Sequence, residues 1–154
     1  MKTKLKRSGA VVETDDICFV YVRFEGFMDG CGMENHLAFL VMGIGGSLIE
    51  ERYGNPDPSD PVDGEHACMC DFGQLKHGCC DKFVECRRLL VDPLKISTVF
   101  IKTNTVGTGL FGMMSTEVYY LSGVCGGLPF NKYYADNYDF CRQDLDKIKE
   151  GMSK

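Results

Sequence analysis

The stretch Asp81–Val91, DKFVECRRLLV, places apolar side chains at helical spacing: Phe83, Cys86 and Leu90, with Val84 and Val91 beside them. Asp81 supplies an N-cap, because its carboxylate can accept from the first backbone amides, and Pro93 cannot continue a helix. The reading is therefore a helix with Cys86 on its apolar face. A second helix is expected at the C-terminal end, YADNYDFCRQDLDKIKEGM. There Tyr138, Cys141, Leu145, Ile148 and Met152 form one stripe while the intervening Asp, Arg and Lys residues face water.

Upstream, DICFVYVRFEGF (Asp16–Phe27) is rich in β-branched and aromatic residues and reads as a strand. HLAFLVMGIGG (His36–Gly46) is an unbroken apolar run, as expected of a strand buried on both faces. STVFIKTNTV and TEVYYLSGVC read as an antiparallel hairpin joined across GTGLFGMM. Together these elements predict an α+β class: an antiparallel or mixed sheet covered by two helices, with a Cys/His-rich loop. Residues 1–10, with Lys2, Lys4, Lys6 and Arg7, read as a basic, solvated N-terminal arm before a single domain over residues 11–154.

The chain of 154 residues is long enough to bury a core without staples. Its hydrophobic content of 44% and charged content of 25% are those of a soluble globular protein. A net charge of -5 argues against nucleic acid, whose phosphates need concentrated positive charge. The start MKTKLKRSGAVVETDD has no apolar run behind its lysines and does not read as a signal peptide. The longest apolar stretch, LAFLVMGIGGSLI, is too short to span a bilayer. These features lead to the expectation of a cytoplasmic protein with reduced thiols, a protein partner and no membrane association.

The chemistry-bearing segment is GEHACMCDFGQLKHGCC, Gly64–Cys80, reached through the proline- and aspartate-rich loop YGNPDPSDPVDG. Zinc needs thiolate and imidazole ligands converging at about 2.0–2.3 Å, which a curved loop can supply and a regular strand cannot. Gly73 and Gly78 are expected to provide the curvature. Cys86, two turns up the expected helix, is too far to share the ion. Cys79 and Cys80 point in different directions. The favoured ligand set is Cys68, Cys70, His77 and Cys79, with His66 and Cys80 as substitutes. The spacing C-x-C followed by H-x-C-C matches no standard zinc motif. A calcium loop does not fit, since aligning Gly64 with the invariant glycine puts Pro61 where an oxygen ligand is needed.

The expected function is thus a small zinc-binding protein with an interaction or regulatory role. An alternative is a cysteine-dependent enzyme using Cys79 or Cys80, activated by a helix N-terminus and by His77 or His66 as base. A further alternative is a secreted disulfide protein in which Cys31 and Cys125 pair. Cys18 and Cys141 read as core residues. MGIGGSLIEER lacks the lysine and the full glycine fingerprint of a phosphate loop and reads as a glycine turn, as does GTGLFG. The tyrosines of NKYYADNY read as sealing a helix against a sheet or as a recognition surface.

Overall fold

The computed structural model describes residues 1–6, 9–29, 32–53, 71–76 and 82–154, with backbone alone at 23–29, 32–37 and 50–53. Among the described residues the chain is mostly β, its strands arranged in three antiparallel sheets. It forms two compact units, Met1–Val91 and Asp92–Lys154.

In the first unit, β1 (Lys2–Lys4) pairs with β2 (Val11–Glu13), and a five-stranded sheet has the order β5-β4-β3-β7-β6. Its strands are β3 (Ile17–Asp29), β4 (Gly32–Gly43), β5 (Gly46–Tyr53), β6 (Val84–Cys86) and β7 (Leu89–Val91). The apolar run in β4 behaves as its composition requires. Ala38, Phe39, Leu40 and Val41 are all buried, so both faces of the strand are covered. Between β4 and β5 the chain turns at Ile44 and Gly45, and positive φ at Gly45 (92°) and Gly46 (123°) suits residues without a Cβ. MGIGGSLIEER is a hairpin, not a phosphate loop.

One face of this sheet carries the core cluster: Val20, Val22, Phe39, Val41 and Leu90, joined by Leu5, Val12 and Ile17. A short helical segment at 71–76, α1, adds Phe72 and Leu75 to the cluster. Lys76 of α1 bridges Glu85 of β6 at 2.7 Å. Gln74 ties down the N-terminal strand by donating to the Lys4 carbonyl at 2.8 Å and accepting from the Lys6 amide at 2.7 Å. Residues expected as a solvated arm are therefore partly a paired strand, anchored by the buried Leu5.

The expectation of a sheet covered by two helices is overturned, and DKFVECRRLLV is where it fails. Within 82–91 the chain forms the hairpin β6–β7, with Cys86 opposite Leu89 and Val84 opposite Val91. β7 then pairs with β3 through Phe19↔Val91, Val20↔Leu90 and Tyr21↔Leu89. Leu89, Leu90 and Val91 are buried on successive sides, a demand that a mid-sheet strand meets and a surface helix does not. The turn is Arg87–Arg88, with Arg88 at φ 58° and its carbonyl accepting from the Val22 amide at 3.1 Å. No glycine or asparagine marks it, so turn chemistry is invisible in the sequence. Pro93 does not end a helix. It opens a 3-10 turn, Pro93–Lys95, whose cap Asp92 accepts from the Leu94 amide at 3.1 Å.

The second unit is built on β8 (Ile96–Thr108), β9 (Met114–Cys125) and β10 (Leu128–Tyr133), in the order β10-β9-β8. The expected hairpin is present, with pairing from Ile96↔Cys125 to Thr108↔Met114. Helix α2 (Tyr138–Met152) starts at Asn137, whose side chain accepts from the Phe140 amide. It packs on β8 and β9 with Cys141, Leu145 and Ile148 buried, as the stripe predicts. Tyr138 is half exposed but meets Tyr119 edge to face at 5.2 Å between ring centroids.

Candidate functional site

The zinc ligands expected from sequence, Cys68, Cys70, His77 and Cys79, lie outside the described residues, as do His66, Cys80 and Cys31. So does the loop 54–64. Gly73, expected to curve the cluster, is instead part of α1. Among the described residues no group of three or more His, Cys, Asp or Glu side chains is placed to hold a metal ion.

The described cysteines serve packing. Cys18, Cys86, Cys125 and Cys141 are all buried. Cys86 reaches burial on a strand and not on the expected helix. Cys125 donates its thiol to the Asp92 carbonyl at 3.6 Å. Burial, reinforced by the nearby Asp144 carboxylate, pushes the Cys141 thiol up to about 11. A thiol held protonated in this way is a poor nucleophile at neutral pH. Asp144 is itself buried on α2, accepts from the Tyr134 hydroxyl, and has the Lys147 ammonium 3.8 Å from its Oδ1. This cluster ties α2 to the strand end.

What the second unit does present is a long arm. β8 and β9 continue well beyond the part covered by α2, and from Lys102 to Gly107 every residue is exposed. Beyond Val118, which is buried opposite Asn104, Thr105, Val106 and Thr116 supply β-branched side chains, which favour an extended backbone where little of it is covered. The arm closes through Gly109, a 3-10 turn at Leu110–Gly112, and Met113. Positive φ at Gly109 (77°), Phe111 (58°) and Gly112 (67°) turns the chain tightly.

The tip is apolar. Leu110 is 76% exposed, Phe111 91%, Met113 83% and Met114 69%, so none shields another. Turns ordinarily carry polar residues because they face water. Four large apolar side chains at a turn therefore form a patch of the kind that marks contact surfaces. No charged residue occurs between Lys102 and Glu117. Sequence reasoning recognised the turn but passed over its composition, and the legible signal was LFGMM at a position where turn chemistry calls for polar groups.

A second feature, its aromatic rings exposed at Phe100 and Tyr133 only, lies on the sheet face opposite the Tyr119–Tyr138 contact. Tyr120 and Tyr133 pair across strands with ring centroids 5.1 Å apart, and Phe100 lies on the same face by register. Beside them Ser122 donates to Asn131 Oδ1. Lys102 is the basic residue that this register adds to the face, opposite Tyr120.

Comparison with protein-family models, with curated proteins and with solved structures finds no match to this chain.

Proposed function

We propose that this chain is a binding module that engages an apolar partner surface through the tip of the β8–β9 hairpin. The exposed cluster Leu110, Phe111, Met113 and Met114 carries this reading. Full burial of each such side chain is worth about 1.5–3 kcal/mol, so four offer roughly 6–12 kcal/mol before costs. Association itself costs on the order of 4–15 kcal/mol, which leaves docking in the micromolar range or weaker. Such affinity suits a reversible contact.

The test is retention on a neutral phenyl matrix. The wild-type protein is expected to be retained, and Phe111→Asn with Met113→Ser to elute markedly earlier with unchanged far-UV circular dichroism. Asparagine tolerates the positive φ of position 111, so the turn survives. Leu94→Asn, which removes a side chain 74% exposed outside the arm, should leave retention unchanged. Equal retention of wild type and tip variant would overturn the proposal.

A second reading rests on the density of thiols and imidazoles between His66 and Cys80. In it Cys68, Cys70, His77 and Cys79 hold one structural Zn²⁺, with three thiolates and one imidazole closing the site to substrate. Elemental analysis of protein purified without chelator is expected to show one zinc per chain, lost in Cys68→Ser together with stability. Cys86→Ser is expected to keep the metal. Metal-free wild-type protein would sink this reading.

A further inference from the structure

We infer that the surface met by the hairpin tip is a zwitterionic lipid bilayer, with Leu110, Phe111, Met113 and Met114 inserted at the boundary between headgroups and acyl chains. This rests on the reading of the tip as the docking site and names its partner. Three observations favour lipid over a protein pocket.

The first is shape. Protein interfaces bury a few anchors in matched pockets inside a polar rim. Here four of the five residues Leu110–Met114 carry large apolar side chains, each at least 69% exposed. A fluid phase accepts such a tip without a matched cavity.

The second is charge. From Thr103 to Thr116 the arm carries none. A charged side chain taken to the bilayer centre costs about 2.5–3.5 kcal/mol by insertion scales, and this arm brings none with it. Lys102 and Glu117 stand back from the tip, opposite Tyr120 and Thr105 respectively. From Thr105, level with Glu117, to Thr108 an extended strand runs about 10 Å, which matches the roughly 5–10 Å that interfacial insertion requires. With no lysine or arginine beside the tip, attraction to anionic headgroups contributes little.

The third is the backbone. Lipid penalises unsatisfied peptide groups. At the tip the Gly112 amide donates to the Gly109 carbonyl and the Met113 amide to the Leu110 carbonyl, while Thr108 pairs with Met114. The threonine, asparagine and serine side chains of the stem then lie at headgroup depth, where their polar groups find partners. That no helix among the described residues is long and apolar enough to cross a membrane does not bear on a shallow tip.

Flotation with phosphatidylcholine vesicles tests the inference. The full chain is expected to float with vesicles of phosphatidylcholine alone. Added phosphatidylserine or raised salt should change the bound fraction by less than about twofold, since screening acts only on charge. Phe111→Asn should weaken partitioning about tenfold, and adding Leu110→Ser and Met113→Ser about a hundredfold or more, as lost apolar burial predicts. Leu94→Asn should float like wild type. Failure of the wild type to float, flotation that needs anionic lipid, or flotation unaffected by Phe111→Asn would overturn the inference. So would tip-dependent dimerisation in place of flotation. Tip-dependent retention on the phenyl matrix without flotation would refute the bilayer alone, whereas loss of both would refute the docking site too.

Discussion

Gly123→Ala is expected to lower the unfolding free energy by about 3 kcal/mol, within the upper range for overpacked sites, read as a shifted midpoint in urea. A Cβ built at Gly123 would lie 2.2 Å from the Thr98 carbonyl oxygen and 3.0 Å from the Phe130 ring. The oxygen belongs to the backbone of β8, beside the irregular register between Ile96 and Thr98, and cannot swing aside as a side chain would. Phe130, the cross-strand partner of Gly123, fills the space that the missing side chain leaves. Relief therefore requires β8 and β9 to separate locally. Gly73→Ala provides the control of opposite sign. Among the described residues its Cβ meets nothing within 4 Å, and alanine in the helical segment 71–76 should stabilise by about 0.5–1 kcal/mol. Equal midpoints for Gly123→Ala and wild type would show that the two strands are not as close as described.

Phe39→Ala is expected to cost about 3–5 kcal/mol, the range for truncating a fully buried aromatic side chain. Phe39 lies on β4 directly opposite Val22 of β3, inside the cluster that includes Val20, Val41, Leu90, Phe72 and Leu75. The cavity would open where α1 meets the sheet, and the strands around it are held by hydrogen-bonded register and cannot collapse inward. Phe39→Leu keeps most of the volume and should lose less than half as much, since the cost follows the volume left empty. Truncation of the exposed Phe111 should change stability by no more than about 0.5 kcal/mol, as for surface sites generally. If the two alanine variants unfold at the same urea concentration, Phe39 is not a core residue.

The contrast between Phe39 and Phe111 shows how far composition reaches. A phenylalanine in HLAFLVMG is surrounded by apolar neighbours along the chain, so burial is legible. A phenylalanine in GTGLFGMM has glycines and methionines around it, and only the tertiary structure reveals that nothing covers it. The same limit applies to thiols. Cys141 was legible as core from its helical stripe. Cys86 was legible as buried, but the element carrying it was not.

By itself the sequence determined the elements whose information is local. The strands β3 and β4, the β8–β9 hairpin and the helix α2 each follow from period, β-branched content or a cap within a few residues. Tertiary structure alone decided the state of Lys82–Val91, because apolar residues at 83, 84, 86, 90 and 91 satisfy a helical period and Leu89–Val91 equally satisfies a buried strand. The choice fell to the partner. β3 offers a backbone edge and an apolar face to β7, and ladder hydrogen bonds with burial on both sides outweigh a weak helical preference spread over few residues. That partner lies some seventy residues away in the chain (Phe19↔Val91), beyond the reach of any local pattern.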